Sequence, residues 1–199
     1  MKKNKTLIIA VVISTFVYSL YSCEPGKPGS SGTADTVAVK DTSVKRGAYL
    51  VMTMGCNDCH SPKIMGLHGP ELDTTRLMSG HPANEPFNVT DLQDVKKGSM
   101  IASPGVTAFV GPWGKTFAAN LTSDGTGIGN WSFGQFKKAI TQGKFMGIDE
   151  ERMIMPPMPW QNYTQLKDED IKAIFAYLKS TKPVRNMVPA LIPADKMAK

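Results

Sequence analysis

Cys56-Asn57-Asp58-Cys59-His60 places two thiols and an imidazole within five residues, in the spacing C-x-x-C-H. Two cysteines three residues apart reach one side of a helical turn. Each thiol can add across one haem vinyl group, and the adjoining histidine can offer a ring nitrogen to the iron. The pattern is that of a covalently attached c-type haem. Two other chemistries use similar residues. A thioredoxin-like C-x-x-C pair needs a βαβ surround, for which the flanking sequence gives no sign. A four-ligand zinc site needs a second Cys/His pair, and the remaining cysteine is Cys23.

One C-x-x-C-H leaves a sixth iron position to fill. A thioether sulfur suits it and raises the potential relative to two imidazoles. With twelve methionines in the chain, a methionine alone says little, and most read as core filler. The segment Met153-Ile154-Met155-Pro156-Pro157-Met158-Pro159-Trp160 differs, because its prolines forbid regular helix and stiffen the backbone that carries the sulfurs. His68 and His81 are the rival ligands, both in a Gly/Pro-rich stretch.

The elements that must position these groups are mainly helical. Ser43 is placed to cap a helix from Val44 into the haem motif, with Gly47 allowing close approach of a second helix. A loop follows over residues 61–86, then a short helix over 90–97 ended by Gly98. The stretch from Met100 to Leu121, with Gly111-Pro112-Trp113-Gly114 at its middle, reads as a small hairpin. Ser132 and Gln135 form a capping box ahead of a helix that Gly143 ends. Ile171, Ile174, Phe175 and Leu178 give a last helix its apolar face, with acidic residues at Asp168–Asp170 and a stop at Pro183.

Taken together, C-x-x-C-H after an N-terminal helix, a late Met-Pro and a closing helix with Ala176-Tyr177-Leu178-Lys179 resemble a class I c-type cytochrome. The resemblance implies a mainly α class I cytochrome c fold, here with a long, partly extended insertion between haem motif and axial methionine. It implies that Met158, in Pro157-Met158-Pro159, binds iron opposite His60, with Met155 the runner-up. It also implies that the Pro70 carbonyl accepts a hydrogen bond from the His60 ring. Residues 120–131, Gly-rich and leading into Trp131-Ser132, resemble a segment of the cytochrome subunits of bacterial membrane dehydrogenases. That likeness assigns Asn120 and Trp131 as donors to the haem propionates.

Ahead of this domain, Lys2, Lys3 and Lys5 precede an apolar run from Leu7 to Leu20. A basic start and a short apolar core mark an export signal. As a helix the run would span about 21 Å, short of the roughly 30 Å of a bilayer core. Leu20-Tyr21-Ser22-Cys23 resembles a bacterial lipobox, which implies cleavage before Cys23 and a lipid on its sulfur. The organisation expected is a lipoprotein signal over residues 1–22, a flexible lipid-anchored linker over 23–42, and a haem domain over 43–199. Five of the ten residues from Glu24 are Gly or Pro, the basis of the linker reading.

The formal charge of +6 falls to +3 once residues 1–22 are removed. That small excess gives a nucleic-acid partner no electrostatic basis. With Cys23 lipidated and Cys56 and Cys59 on haem, no thiol remains for a disulfide. The expectation is an electron carrier rather than an enzyme: one covalent haem c, His60/Met158 ligation, anchorage at the periplasmic side of a membrane, redox-protein partners and no small-molecule substrate. A peroxidase-like haem enzyme, a haem ligand sensor, and a cytochrome subunit of a membrane dehydrogenase are the alternatives.

Overall fold

The structure is a computed structural model that describes residues 33–197, with side chains from Ser43 onward. The chain divides into a unit Met1–Val37 and a compact unit from Ala38 onward, which holds all the side chains discussed below. The expected export signal lies outside the described residues.

Helix α1, Thr33–Thr53, begins ten residues before the Ser43 cap that the sequence suggests, and takes in the second half of the expected linker. The last of the clustered Gly and Pro residues is Gly32, and from Thr33 to Arg46 there is no helix breaker. At its other end α1 does not run on into the haem motif. Gly55 adopts a left-handed conformation (φ 70°, ψ 22°) and starts a separate five-residue helix α2, Cys56–His60. A residue with a Cβ is disfavoured at that φ, so a glycine makes the change of direction.

The helical core joins α1 to two later helices. Helix α4, Phe133–Gln142, carries the capping box: the Ser132 hydroxyl accepts from the Gln135 N–H, and the Gln135 Oε1 accepts from the Ser132 N–H. Gly143, at φ 66°, ends it. Helix α5, Asp168–Ser180, buries Ile171, Ala173, Ile174 and Leu178. Of these, the three larger side chains meet Leu50, Val51, Met78, Ile128, Phe136 and Ile140 in one apolar cluster. Phe175 lies at its edge, with ring centroids 5.2 Å from Phe136 and 6.0 Å from Phe133. Arg46 adds a bond to Asp170 across the α1–α5 contact, at 3.0 Å.

Between the haem motif and α4 the chain is partly extended, as expected of the insertion. Strands β1, Lys63–Gly66, and β2, Gly69–Leu72, form a hairpin turned by Leu67-His68, where the sequence suggests only loop. The short helix is α3, Gln93–Lys96. A four-stranded antiparallel sheet then runs in the order β3, Ile101–Ala102; β4, Ala108–Gly111; β5, Gly114–Phe117; and β6, Ile192–Pro193. The β4–β5 hairpin turns at Pro112-Trp113 with Gly111 opposite Gly114, the expected turn. His81 is buried against this sheet, its ring centroid 5.0 Å from that of Phe117. The insertion thus has an interior of its own, in which β4 is buried throughout. Among the described residues no helix is long and apolar enough to cross a membrane.

Candidate haem-attachment site

Helix α2 presents Cys56, Cys59 and His60 on a single turn. Cys56 is half-buried, and both cysteines are free of any disulfide. Burial pushes the Cys56 thiol up to about 11, and Cys59 upward too, although the Lys63 ammonium opposes the second shift. Both sulfurs are therefore protonated at neutral pH. Among the described residues, no three His, Cys, Asp or Glu side chains are grouped so as to hold a metal ion, the Cys56–Cys59–His60 trio included.

His60 is held at both ends. Its carbonyl accepts from the Gly80 N–H at 2.8 Å. Its Nδ1 lies 2.8 Å from the Ala119 carbonyl; facing an acceptor, Nδ1 carries the proton and Nε2 keeps its lone pair. Burial lowers the imidazole below its ordinary range, against the opposing effect of the Ala119 bond. A neutral ring with its Nε2 lone pair available is the form that binds iron.

The partner of Nδ1 corrects the expectation for Pro70. Pro70 lies exposed in β2, opposite Met65, and its carbonyl is not the one His60 meets. The Gly69-Pro70 pair serves the β1–β2 hairpin instead. The same hairpin carries His68 at its exposed turn. His81, the other rival ligand, has both ring nitrogens occupied: Nδ1 lies 2.9 Å from Thr107 Oγ1 and Nε2 2.8 Å from the Glu85 carbonyl. Burial lowers its pKa and keeps it neutral.

Asn120 is also differently employed. It is buried, and its amide N–H groups donate to the Val184 carbonyl at 2.9 Å and to Thr126 Oγ1 at 3.1 Å. Its Oδ1 accepts from the Thr122 backbone and hydroxyl. With its donors spent inside the protein, it does not offer them to a propionate. Trp131 is half-buried against the helical core, immediately before the Ser132 cap.

Met155 and Met158 are both half-buried. Their segment is fixed at several points and contains a cis Pro156–Pro157 bond. Ile154 donates to the Gly143 carbonyl at 2.6 Å, and Thr116 of β5 donates to the Pro156 carbonyl at 3.1 Å. Trp160 sits so close over Gly143 that a Cβ there would be 2.3 Å from the indole. Trp160 opens a 3₁₀ turn to Tyr163. The Tyr163 hydroxyl is raised by burial first and then by the neighbouring Cys56 and Cys59. Tyr163 and Cys56 both pack against the helical core.

Three contributors escape a reading of local sequence. Lys63 donates to the carbonyls of Asn57 and Asp58, capping α2 from β1. Ala119 offers only a backbone atom, so no side chain announces it. Asn186, which ties the C-terminal segment to the chain around Gly80, lies in a stretch without any motif.

The cytochrome c family model matches residues 44–182. The chain is 30% identical over 69% of its length to the gluconate 2-dehydrogenase cytochrome c subunit of Pantoea cypripedii, and 30% identical over 71% to the fructose dehydrogenase cytochrome subunit of Gluconobacter japonicus. Over 78% of its length it is 27% identical to the cytochrome c subunit of the quinone alcohol dehydrogenase of Gluconobacter oxydans. It spans 23%, 22% and 25% of those proteins respectively. With its helical core, its inserted sheet and its Cys56–His60 turn, the chain belongs to the cytochrome c family, as a class I electron-carrying domain related to the cytochrome subunits of bacterial dehydrogenases.

Proposed function

We propose that this chain carries single electrons through one covalent haem c held by Cys56, Cys59, His60 and Met158, at a membrane surface outside the cytoplasm. The observation that carries this reading is the α2 turn. It presents two free cysteine thiols beside an imidazole whose Nδ1–H is engaged by the Ala119 carbonyl. Those groups fit the cofactor the family implies. The haem would supply a one-electron ferric/ferrous couple. The protein's residues do the rest: Cys56 and Cys59 anchor, His60 ligates, and the buried surround keeps water away.

Met158 is favoured over Met155 because it stands in Pro157-Met158-Pro159, directly ahead of the Trp160–Tyr163 turn. Met155 lies beyond the Pro156 carbonyl, which is tied to β5. With His60 and Met158 both holding the iron, the domain would pass electrons rather than bind substrate there. Similarity to dehydrogenase cytochrome subunits makes a dehydrogenase the favoured class of electron donor. Lipid on Cys23 would hold the domain near such a membrane partner.

The test is a pyridine haemochrome assay on protein exported from a host competent for haem attachment. One covalent haem per chain is expected, lost when Cys56 and Cys59 are both replaced by Ala. Protein that folds and is exported without covalent haem would refute the reading.

A further inference from the structure

His60 is gripped by two backbone segments, and both are fastened by the same C-terminal strap. Residues 78–81 and 118–121 run side by side, with His81 N–H donating to the Ala118 carbonyl at 2.9 Å and Leu121 N–H to the Met78 carbonyl at 2.8 Å. Gly80, at φ 77°, makes the approach feasible: a Cβ there would stand 2.5 Å from the Ala118 oxygen. The first segment holds the His60 carbonyl through Gly80, and the second holds the His60 ring through Ala119.

Asn186 clamps the first segment. Its Nδ2 donates to the Ser79 carbonyl at 2.7 Å and the His81 carbonyl at 2.9 Å, on either side of Gly80, while its Oδ1 accepts from Ala83 N–H at 3.0 Å. Both amide N–H groups and one oxygen lone pair are thereby used. The second segment is held by Asn120, whose Nδ2 donates to the Val184 carbonyl of the same strap. Thr126 joins the two clamps: its Oγ1 accepts from Asn120 Nδ2 at 3.1 Å and from the Asn186 backbone at 3.0 Å. Val184 and Asn186 lie beyond residues 44–182, the part that matches the family.

We infer that Asn186 is a positioning residue for the axial histidine, setting through the strap the strength of the His60–Ala119 hydrogen bond and hence the potential of the domain. This rests on His60 being the iron ligand. A carbonyl that accepts from the distal ring N–H makes the imidazole a stronger base toward the metal. A stronger base favours the ferric state, so loosening the bond makes the protein easier to reduce.

The experiment uses the haem-loaded protein with ¹⁵N-labelled histidine. It compares wild type with Asn186→Ala, with Thr126→Val, which removes the shared acceptor and its bond to Asp124 at nearly constant volume, and with Ser132→Ala, whose hydroxyl bonds Gln135 rather than the strap. Hydrogen exchange at His60 Nδ1 in the reduced protein is expected to quicken at least tenfold in Asn186→Ala and severalfold in Thr126→Val. The ratio of reduced to oxidised protein at fixed potential should rise about threefold in Asn186→Ala, which is roughly 28 mV at 59 mV per tenfold. Ser132→Ala should move neither readout. Unchanged exchange and potential in both strap variants, whatever their melting temperatures, would overturn the inference. If the wild type shows no histidine nitrogen bound to iron, the axial reading itself fails, which is a separate result.

Discussion

Gly47 of α1 lies against the backbone of Ala173 in α5 so closely that a Cβ would stand 2.0 Å from the Ala173 oxygen and 2.8 Å from Tyr177 Cβ. This crossing brings the helix that precedes the haem motif onto the last helix. Because the obstacle is a main-chain carbonyl, no rotamer change can relieve it. Gly47→Ala must push the helices apart, at a cost of about 2–3 kcal/mol. In the haem-loaded protein the melting temperature should fall by about 4–12 °C. An unchanged melting temperature would mean that the crossing is looser than described.

A second prediction concerns acid. Asp73 is buried at the foot of the β1–β2 hairpin, where its N–H donates to the Pro62 carbonyl. Its carboxylate accepts from Thr75 and from Arg76, which hold it down to about 2. A folded-state pKa below the unfolded one contributes stability that is present above about pH 4 and is lost as pH falls toward 2. Asp73→Asn should therefore destabilise the protein at pH 7, by about 2 kcal/mol for charge-assisted bonds of this kind. The gap between variant and wild type should close near pH 2. Urea midpoints across pH 2–7 measure it, and a gap independent of pH would contradict the assignment.

The proposed tether is a lipid on Cys23, which lies outside the described residues. Cys23→Ser should leave haem attachment to Cys56 and Cys59 intact while moving the exported protein from the membrane fraction to the soluble fraction. Haem-stained gels of the two fractions read both properties at once. If the variant stays with the membrane, the lipid assignment is wrong and another segment anchors the chain.

The parts of this molecule that are legible in sequence are those whose cause is local. The Ser132/Gln135 box and Gly143 bound α4 within a dozen residues, and Ile171, Ile174 and Leu178 declare the buried face of α5 by their spacing. The Gly111–Gly114 turn is readable for the same reason. What stays hidden depends on partners distant in the chain. His60 bonds a backbone carbonyl 59 residues away, and a carbonyl has no residue type. Asn120 has the capacity of a haem donor, being an amide beside a glycine-rich turn, but Val184 claims it from 64 residues away. Even Pro70, plausible from Gly-Pro chemistry, is diverted by a hairpin whose local sign is the pair Gly66 and Gly69.

In the proposed function His60 and Met158 close the iron, which makes this domain an electron carrier. The sulfur-to-iron charge-transfer band of the oxidised protein tests it most directly, recorded for wild type, Met158→Ala and Met155→Ala. A band is expected in wild type and in Met155→Ala, and none in Met158→Ala. A band that survives in Met158→Ala and vanishes in Met155→Ala would assign the ligand to Met155, and its absence from the wild type would contradict methionine ligation altogether.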